Sequence, residues 1–320
     1  MTLSGHEEAR RQWRAAQAGP RMHHAWMLAG PRGLGKASFA LQAARELVAE
    51  RDVPQPPHDH PDVIVLEPLP ATAEDEKKRE EGKPYQTKRN ITVEQIRAMQ
   101  QRLTTRPTLG SRRAIVIDPA DDLEKGAANA LLKSLEEPPA RTVFVLVAHS
   151  PGGLLPTIRS RCQVVRLNPL APDELFSVLD GFDIGLPAGA DERAALAAAA
   201  AGSPRSAILL TQYGGLEIAS ALDALLGADG VPIADAHRLA DAVAARGQAI
   251  PFAMLNEHAL DVLARAAAEA AADGRIERAG RLSEAWQKSH IAISETETYN
   301  LDRKQHALNM IFRLHDLLRM

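Results

Sequence analysis

The stretch LAGPRGLGKASF, from Leu28 to Phe39, decides the fold of this 320-residue chain. Gly30, Gly33 and Gly35 allow the backbone to bend so that several N–H groups converge, and Lys36 opens a predicted helix. A short apolar run precedes the loop, which gives it the strand-before, helix-after context of a phosphate-binding loop. The stretch therefore predicts an α/β nucleotide-binding fold in which Lys36 reaches the terminal phosphates.

Two side chains that ATP hydrolysis needs are missing from this site. Ala37 stands where a Ser or Thr hydroxyl would ligate magnesium, and Ser38 lies one helical step of about 100° away. At the end of a later apolar run, Asp118 takes the position of the metal-contacting acid, but Pro119 replaces the Glu that orients the attacking water. The two losses predict a site without ATPase activity, and an active but unusual ATPase is the alternative. Whether nucleotide still binds stays open.

The arrangement of apolar runs predicts the fold class. The runs in the first half are short and continuously apolar, which is the pattern of a parallel sheet covered on both faces. Helical patterns alternate with them, and from Tyr213 onward every long segment is helical in period, the last with an apolar stripe from Leu301 to Leu317. We therefore expect α/β with a five-stranded parallel sheet, followed by all-α. The predicted strands are Ala25–Leu28, Asp62–Pro68, Arg113–Asp118, Thr142–His149 and Cys162–Leu167, and the predicted helices before Tyr213 are Lys36–Arg51, Thr92–Leu103, Gly126–Leu135, Ala171–Leu179 and Asp191–Gln212.

Two polar segments carry no predicted site. The charged segment from Ala71 to Asn90 is nearly free of large apolar residues, so we expect a mobile loop or insertion. His58, Asp59 and His60 follow one another in a Pro-flanked loop, and adjacent residues seldom converge on one metal ion. We expect these three to be solvated loop residues, and we expect no metal site.

The composition excludes several classes of protein. A formal charge of −3 and only 4% aromatic residues, not interleaved with Lys or Arg runs, argue against a protein that grips nucleic acid by itself. Cys162 is the single cysteine and is predicted to be a small buried residue; disulfides and a cysteine-rich zinc site are excluded. The first residues lack a signal-type apolar core, and no apolar run reaches the roughly 18 residues that span a bilayer. A cytoplasmic protein without membrane contact is predicted, with a stand-alone nucleic-acid-binding protein as a rival.

Three further stretches occur together in one known class of proteins. They are AANALLKSLEEPP at Ala127–Pro139, TIRSRCQVV at Thr157–Val165 and GSPRSA at Gly202–Ala207. With them, the chain resembles the bacterial DNA polymerase III clamp-loader subunits of the AAA+ class over about residues 20–210. Within that class, the subunits that keep the Ser-Arg-Cys triplet but have a decayed nucleotide site are of the delta prime type, and the chain is similar to them on both counts. It lacks the four zinc-binding cysteines of many members, so no zinc is expected.

This resemblance implies an architecture and an assembly. It implies an AAA+ P-loop domain at residues 1–167, a small helical lid at 168–212 and a C-terminal helical collar for oligomerisation at 213–320. The implied partners are delta and gamma or tau in a hetero-pentamer, which opens a sliding clamp and places it on primed DNA. The chain itself then requires no cofactor. The competing member of the class is a catalytically active ATPase subunit of the gamma or tau type.

The resemblance also assigns a catalytic arginine. Arg161 of the Ser-Arg-Cys triplet is the arginine finger that acts in trans on a nucleotide held by the neighbouring subunit, and Arg159 is a weaker competitor. A structural ion pair is the alternative role for Arg161. For Glu136 and Glu137 the sequence leaves two roles open: a surface pair at the end of the helix, or a contact with the neighbouring subunit.

The nucleotide site that the resemblance implies includes two residues outside the loop itself. Arg205 matches an arginine of the lid that reaches a bound nucleotide, with a plain surface role as the alternative. Ser150 matches a polar group that senses the terminal phosphate. The candidate nucleotide-binding residues are Gly30, Gly33, Gly35, Lys36, Asp118 and Arg205.

Overall fold

A computed structural model describes residues 5–19, 22–50, 52–57, 59–83 and 85–319. Two compact units divide the chain: the first runs to Gly181 and includes Ala201–Arg205, and the second holds Phe182–Ala200 and the chain from Ser206 onward. The strands of the first unit are β1 (Ala25–Ala29), β2 (Val63–Leu66), β3 (Arg113–Ile117), β4 (Thr142–Ala148) and β5 (Gln163–Arg166).

Helices alternate with these strands and then continue alone to the end of the chain, as the apolar pattern predicts. The helices are α1 (Glu7–Ala18), α2 (Lys36–Val48), α3 (Ala73–Glu80), α4 (Val93–Leu103), α5 (Lys125–Glu136), α6 (Pro156–Arg159), α7 (Pro172–Leu179), α8 (Ala190–Ala200), α9 (Pro204–Gln212), α10 (Gly215–Gly227), α11 (Ile233–Ala244), α12 (Ala249–Ala272), α13 (Ile276–Thr298) and α14 (Arg303–Arg319). Of the described helices, none combines the length and the hydropathy of a membrane-spanning segment.

Parallel pairing joins the five strands in the order β2-β3-β4-β1-β5, which confirms the predicted sheet. The inner strands β3, β4 and β1 are buried along their whole length, in agreement with their continuously apolar sequences. The edge strands are less covered, because each has a neighbour on one side only. Val65 of β2 and Val164 of β5 are each 41% exposed.

Helices cover both faces of the sheet, because successive side chains of a strand point to opposite sides. On one face Trp26 of β1 packs with Trp13 of α1 and Phe39 of α2, and the two indole rings meet edge to face with centroids 5.2 Å apart. On the other face Met27 of β1 packs in a cluster with Ile96 of α4. Helix α1 lies in a stretch for which the sequence pattern predicted no element.

Within the described part of the charged segment, Ala73–Glu80 form the helix α3, so the expectation of a mobile loop was wrong there. Thr72 caps α3 by accepting a hydrogen bond from Asp75 N, and the buried carboxylate of Asp75 accepts one from Gln86 N at 3.1 Å. The ends of the segment are joined by an antiparallel bridge between Pro70 and Thr87. Local capping and backbone pairing therefore order a segment that has almost no apolar residues to bury.

His60 is a structural residue and not a solvated one, which corrects the expectation. It is 6% exposed, its Nε2 lies 2.9 Å from Gln55 Oε1, and its Nδ1 accepts a hydrogen bond from Asp62 N at 3.0 Å. Asp59 is exposed as expected, and His58 lies outside the described residues. Both ring nitrogens of His60 are engaged within the loop, which explains how a polar ring is buried there.

The predicted helix Asp191–Gln212 is two helices, α8 and α9, interrupted around Gly202. Gly202 has a φ of +73°, and a Cβ at this position would lie 2.6 Å from the carbonyl oxygen of Leu170. Leu170 N donates a hydrogen bond to Gly202 O, so the interruption is fixed by pairing to a segment earlier in the chain. Helical propensity of the alanines did not reveal this contact.

The second unit is all-α, as predicted, with a core formed by α10 to α14. Leu308, Ile311 and Leu314 of the predicted apolar stripe are buried in it, whereas Leu301 precedes α14 and is 51% exposed. The domain boundaries at residues 167 and 212 stay predictions.

Asp62 ties β2 to the loop before β3. Its side chain is fully buried (0% exposed) and accepts hydrogen bonds from Thr108 N, Leu109 N and Gly110 N at 2.6, 2.8 and 3.3 Å. Burial alone would raise the pKa of this carboxyl, but the three backbone donors more than compensate, and the pKa lies below its ordinary value.

We expect Asp62→Asn to lower the free energy of unfolding by about 1–3 kcal/mol at neutral pH, because the amide nitrogen cannot accept these bonds. Since the folded-state pKa is depressed, the stabilisation is present above about pH 4 and is lost as the pH falls through the folded-state value. Urea unfolding at neutral and acidic pH measures this, with the exposed Asp59→Asn as control. Equal stability of Asp62→Asn and the unmodified chain at neutral pH would contradict the assignment.

Candidate functional site

The predicted phosphate-binding loop connects the carboxyl end of β1 to the first turn of α2. Gly33 and Gly35 both have a φ of +81°, in the left-handed region that favours glycine. A Cβ at Gly33 would lie 2.3 Å from Ser203 Oγ, so the segment Ala201–Arg205 packs directly on the loop. The glycines are needed for both the bend and this close approach.

Lys36 is buried and bonded to the loop that precedes it. Its Nζ donates to the carbonyl oxygens of Gly30 at 2.6 Å and Pro31 at 2.5 Å, and the residue is 2% exposed. Burial lowers the pKa of the ammonium to about 8, although the carboxylates of Asp121 and Asp118 act in the opposite direction. The cation predicted to reach phosphate therefore holds the loop together from within.

Asp118 and Asp121 both act electrostatically on Lys36, and Asp121 is in addition bonded to the backbone after β4. Burial raises the pKa of Asp118, with a further contribution from Glu67, and the charge of Lys36 partly offsets the shift. The carboxylate of Asp121 accepts hydrogen bonds from the backbone N–H groups of His149 at 2.6 Å and Ser150 at 2.7 Å. Asp121 thus fixes the end of β4, and it does not replace the carboxylate lost at the position of Pro119.

His149 is a residue of this site that the sequence did not single out. Its Nδ1 is buried and has no hydrogen-bond partner among the described residues. Burial lowers the pKa of the imidazole to about 4, and the charges of Lys36 and Arg32 act in the same direction. In the sequence, its position at the end of the predicted fourth strand and beside Ser150 could have indicated that His149 belongs to the site.

The residues present fit a phosphate group but not a magnesium ion. The bent backbone, the start of α2, Lys36 and the unpartnered Nδ1 of His149 offer a cation and hydrogen-bonding groups to an anion. The hydroxyl and carboxylate that would hold metal and water are replaced at Ala37 and Pro119. In the part of the chain that the structure describes, no three His, Cys, Asp or Glu side chains are grouped to hold a metal ion.

Arg205 lies at the loop through its backbone. Its N–H donates to Gly33 O at 3.2 Å, and the residue is exposed. The structure therefore brings Gly30, Gly33, Gly35, Lys36, Asp118 and the backbone of Arg205 to one edge of the sheet.

Arg161 lies at the opposite end of the parallel strands from the phosphate-binding loop. It precedes β5, which runs parallel to β1, so it is near the amino ends of the strands while the phosphate-binding loop is at their carboxyl ends. Its Nη2 pairs with Glu136 Oε1 at 2.7 Å and its Nη1 donates to Thr157 O at 2.9 Å; the side chain is 33% exposed. Arg159 is exposed. An arginine in this place cannot serve the nucleotide loop of its own chain.

Cys162, next to Arg161, carries no chemistry in this arrangement. Burial raises the pKa of its thiol to about 12, so the reactive thiolate is not formed near neutral pH. Cys162 was expected to be a small buried residue; it is partly buried and packs against the core cluster under the sheet.

Comparison with known proteins decides the family. The family model described as DNA polymerase III, delta subunit, matches residues 5–171, which is more than half of the chain. The chain belongs to this family. The resemblance to delta prime subunits is also confirmed by a relative from Pseudomonas aeruginosa, DNA polymerase III subunit delta', which is 37% identical over 151 residues.

The alignments with relatives from this DNA polymerase III family cover only part of each relative. The alignment with the Pseudomonas aeruginosa subunit spans 43% of this chain and 41% of that protein. DNA polymerase III subunit gamma from Buchnera aphidicola is 30% identical over 50% of this chain and 42% of its own. The chain thus spans about two fifths of the length of these relatives.

A solved DNA polymerase III gamma subunit-related protein from Thermotoga maritima aligns with 97% of this chain and 99% of its own, at 19% identity and a TM-score of 0.45. The predicted α/β domain with a five-stranded parallel sheet, followed by an all-α region, is confirmed.

We expect the affinity of the loop for ADP to fall about tenfold between about pH 7 and about pH 9, because Lys36 loses its proton near pH 8 while the phosphates no longer titrate. Lys36→Arg should keep its charge and show a much flatter profile. Calorimetric titration at each pH measures the affinity. A wild-type profile as flat as that of Lys36→Arg would show that Lys36 does not titrate in this range.

We expect magnesium to leave the ADP affinity unchanged within about twofold, because Ala37 offers no ligand. Ala37→Ser restores the hydroxyl and should make binding stronger in magnesium than in EDTA. The same titration in the two buffers is the measurement, and a strong magnesium dependence of the unmodified chain is the contrary result.

Proposed function

We propose that the chain is a non-hydrolysing, delta prime-type subunit of a DNA polymerase III clamp loader, and that it supplies Arg161 to the nucleotide site of a neighbouring subunit. One observation carries the proposal: Arg161 is held at the edge of the sheet opposite the chain's own phosphate-binding loop. That loop in turn lacks the hydroxyl and the carboxylate for hydrolysis at Ala37 and Pro119.

The pairing with Glu136 is compatible with action in trans. Glu136 ends α5 and is half exposed, and with the bonds to Thr157 O and Ser160 Oγ it orients Arg161 at the surface by three contacts on its own chain. A planar guanidinium held in this way presents its remaining N–H groups to a phosphoryl group that gains charge in the transition state. In this role Glu136, the first of the two acids in the stretch AANALLKSLEEPP, orients the arginine finger.

Membership of the family supports a proposal for the assembly. The partners we propose are delta and gamma or tau in a hetero-pentamer that opens a sliding clamp and places it on primed DNA. Relatives named as delta prime and gamma subunits support the gamma or tau partnership. Residues 213–320, which hold α10 to α14, would be the oligomerisation collar, and Ile233 and Ile276 in this region are 66% and 69% exposed.

The retained Lys36 favours a second candidate, an active ATPase subunit of the gamma or tau type. Steady ATP turnover by the isolated chain that is abolished in Lys36→Ala would establish it. We expect no turnover above background, because neither metal nor attacking water has its ligand.

We expect Arg161→Ala to slow ATP hydrolysis at the adjacent partner site by about 10³-fold or more, which is the usual contribution of an arginine finger. Single-turnover phosphate release from the reconstituted complex in the presence of clamp and primed DNA should lose the phase that belongs to that site. Glu136→Gln should slow this phase less, because the guanidinium remains but its orientation is relaxed.

Arg159→Ala is the matched control, since it removes an exposed guanidinium two positions earlier on the same short connection. It should leave all phases unchanged, and both arginine variants should assemble normally by size-exclusion chromatography. Loss of the phase in Arg159→Ala but not in Arg161→Ala would transfer the role to Arg159.

A further inference from the structure

A cavity of about 330 Å³ opens at the edge of the sheet where the parallel strands begin. It lies in the first unit and is distinct from the nucleotide loop, which is at the carboxyl ends of the strands. Its walls combine cationic and apolar side chains and include Met22, His24, Arg112, Pro138, Pro139 and Arg141.

The charge of this cavity is positive in a chain whose formal charge is −3. Arg112 and Arg141 are exposed, and neither guanidinium has a hydrogen bond or an ion pair with another described residue. Glu50 is the nearby acid: its pKa is lowered first by hydrogen bonds from Ser111 and then by the charges of the two arginines. The lining itself holds two guanidinium groups and no carboxylate, which leaves an excess of positive charge for an incoming anion.

The rim of the cavity is held by backbone bonds. Thr142 N donates to Pro139 O and closes a turn, and Arg141 within it has a φ of +63°, which is uncommon for a residue other than glycine. The carbonyl of Arg141 accepts a bond from Arg113 N at 2.9 Å. His24 is fixed by the 2.9 Å contact of its Nε2 with Leu135 O. The binding groups therefore stand on a frame that is already ordered.

The remaining wall is aliphatic. Met22 and the two prolines are partly exposed, Val143 is 7% exposed, and the aromatic ring in the lining is the half-buried imidazole of His24, which stacks on His23 with centroids 4.6 Å apart. A nucleic-acid strand would find the cations but, for its bases, only one small ring that is already stacked on His23. A carboxylate matches the guanidinium fork, and an apolar side chain of the same ligand matches Met22 and the prolines.

We propose that this cavity binds an acidic segment of a partner protein, with carboxylates on Arg112 and Arg141 and an aliphatic side chain between Met22 and the two prolines. The proposal does not depend on the role of Arg161, because the two sites use different residues. Rim charges of this kind accelerate and orient association, and the aliphatic contact supplies selectivity.

The test uses the full chain and a fluorescein-labelled probe peptide, Asp-Asp-Leu-Asp-Leu, at low salt. Fluorescence anisotropy should show binding that weakens about tenfold in Arg112→Glu and in Arg141→Glu. Met22→Ala should weaken the binding of this peptide but not that of Asp-Asp-Gly-Asp-Gly, which lacks the aliphatic side chains. Arg97→Glu, on the exposed face of α4, is the matched charge control and should bind as the unmodified chain does.

Three results would overturn the proposal: no binding of the probe, equal binding of the neutral peptide Asn-Asn-Leu-Asn-Leu, or binding of oligo-dT in place of the peptide with loss in the same arginine variants. Thermal unfolding of each variant checks that the fold is retained. If a charge reversal lowers the melting temperature, the corresponding Arg→Gln variant repeats the measurement, and unchanged affinity in a folded Gln variant counts against the proposal.

Discussion

A buried ammonium group organises the candidate nucleotide site. Lys36 donates to the carbonyl oxygens of Gly30 and Pro31, and this closes the loop on itself at the carboxyl end of β1. The segment around Gly202 then packs on the closed loop, with Arg205 N bonded to Gly33 O. Because the cation is shielded from water, its charge is easier to lose than that of an ordinary lysine, and the electrostatics of the site depend on the pH near neutrality.

The sheet could be predicted from the sequence because its signals are local. Continuous apolar runs mark the buried parallel strands, and glycines between a strand and a helix mark the loop. The ordered charged segment and the buried His60 could not be predicted in this way. Hydrogen bonds of Thr72 and Asp75 fix the charged segment. The ring nitrogens of His60 bond to Gln55 and to Asp62 N. Neither arrangement produces a hydrophobic pattern in the sequence. The break at Gly202 depends on Leu170, more than thirty positions earlier, and a helical propensity cannot report such a contact.

The site was predicted in part. The residues of the phosphate-binding loop, with Asp118 and Arg205, lie together as expected, but the unpartnered imidazole of His149 required the structure. Arg161 pairs with Glu136, which is the structural ion pair that the sequence left as the alternative role of this arginine, and its action in trans stays a proposal. An ion pair at a surface with one third of the side chain exposed is weak enough to be exchanged for a stronger anion, so the contact does not prevent recruitment by a phosphate.

The bridge between Pro70 and Thr87 separates the charged segment from the rest of the fold. Ala71 N bonded to Gln86 O and Lys88 N bonded to Leu69 O bring the two ends of the segment side by side before the chain returns to the sheet. Its length can therefore change without altering the distance between β2 and α4, and loop closure adds little cost for extra residues. Gly82 lies in open space near the tip. A fluorophore or short epitope placed there would report on assembly while leaving the strands and the nucleotide loop untouched.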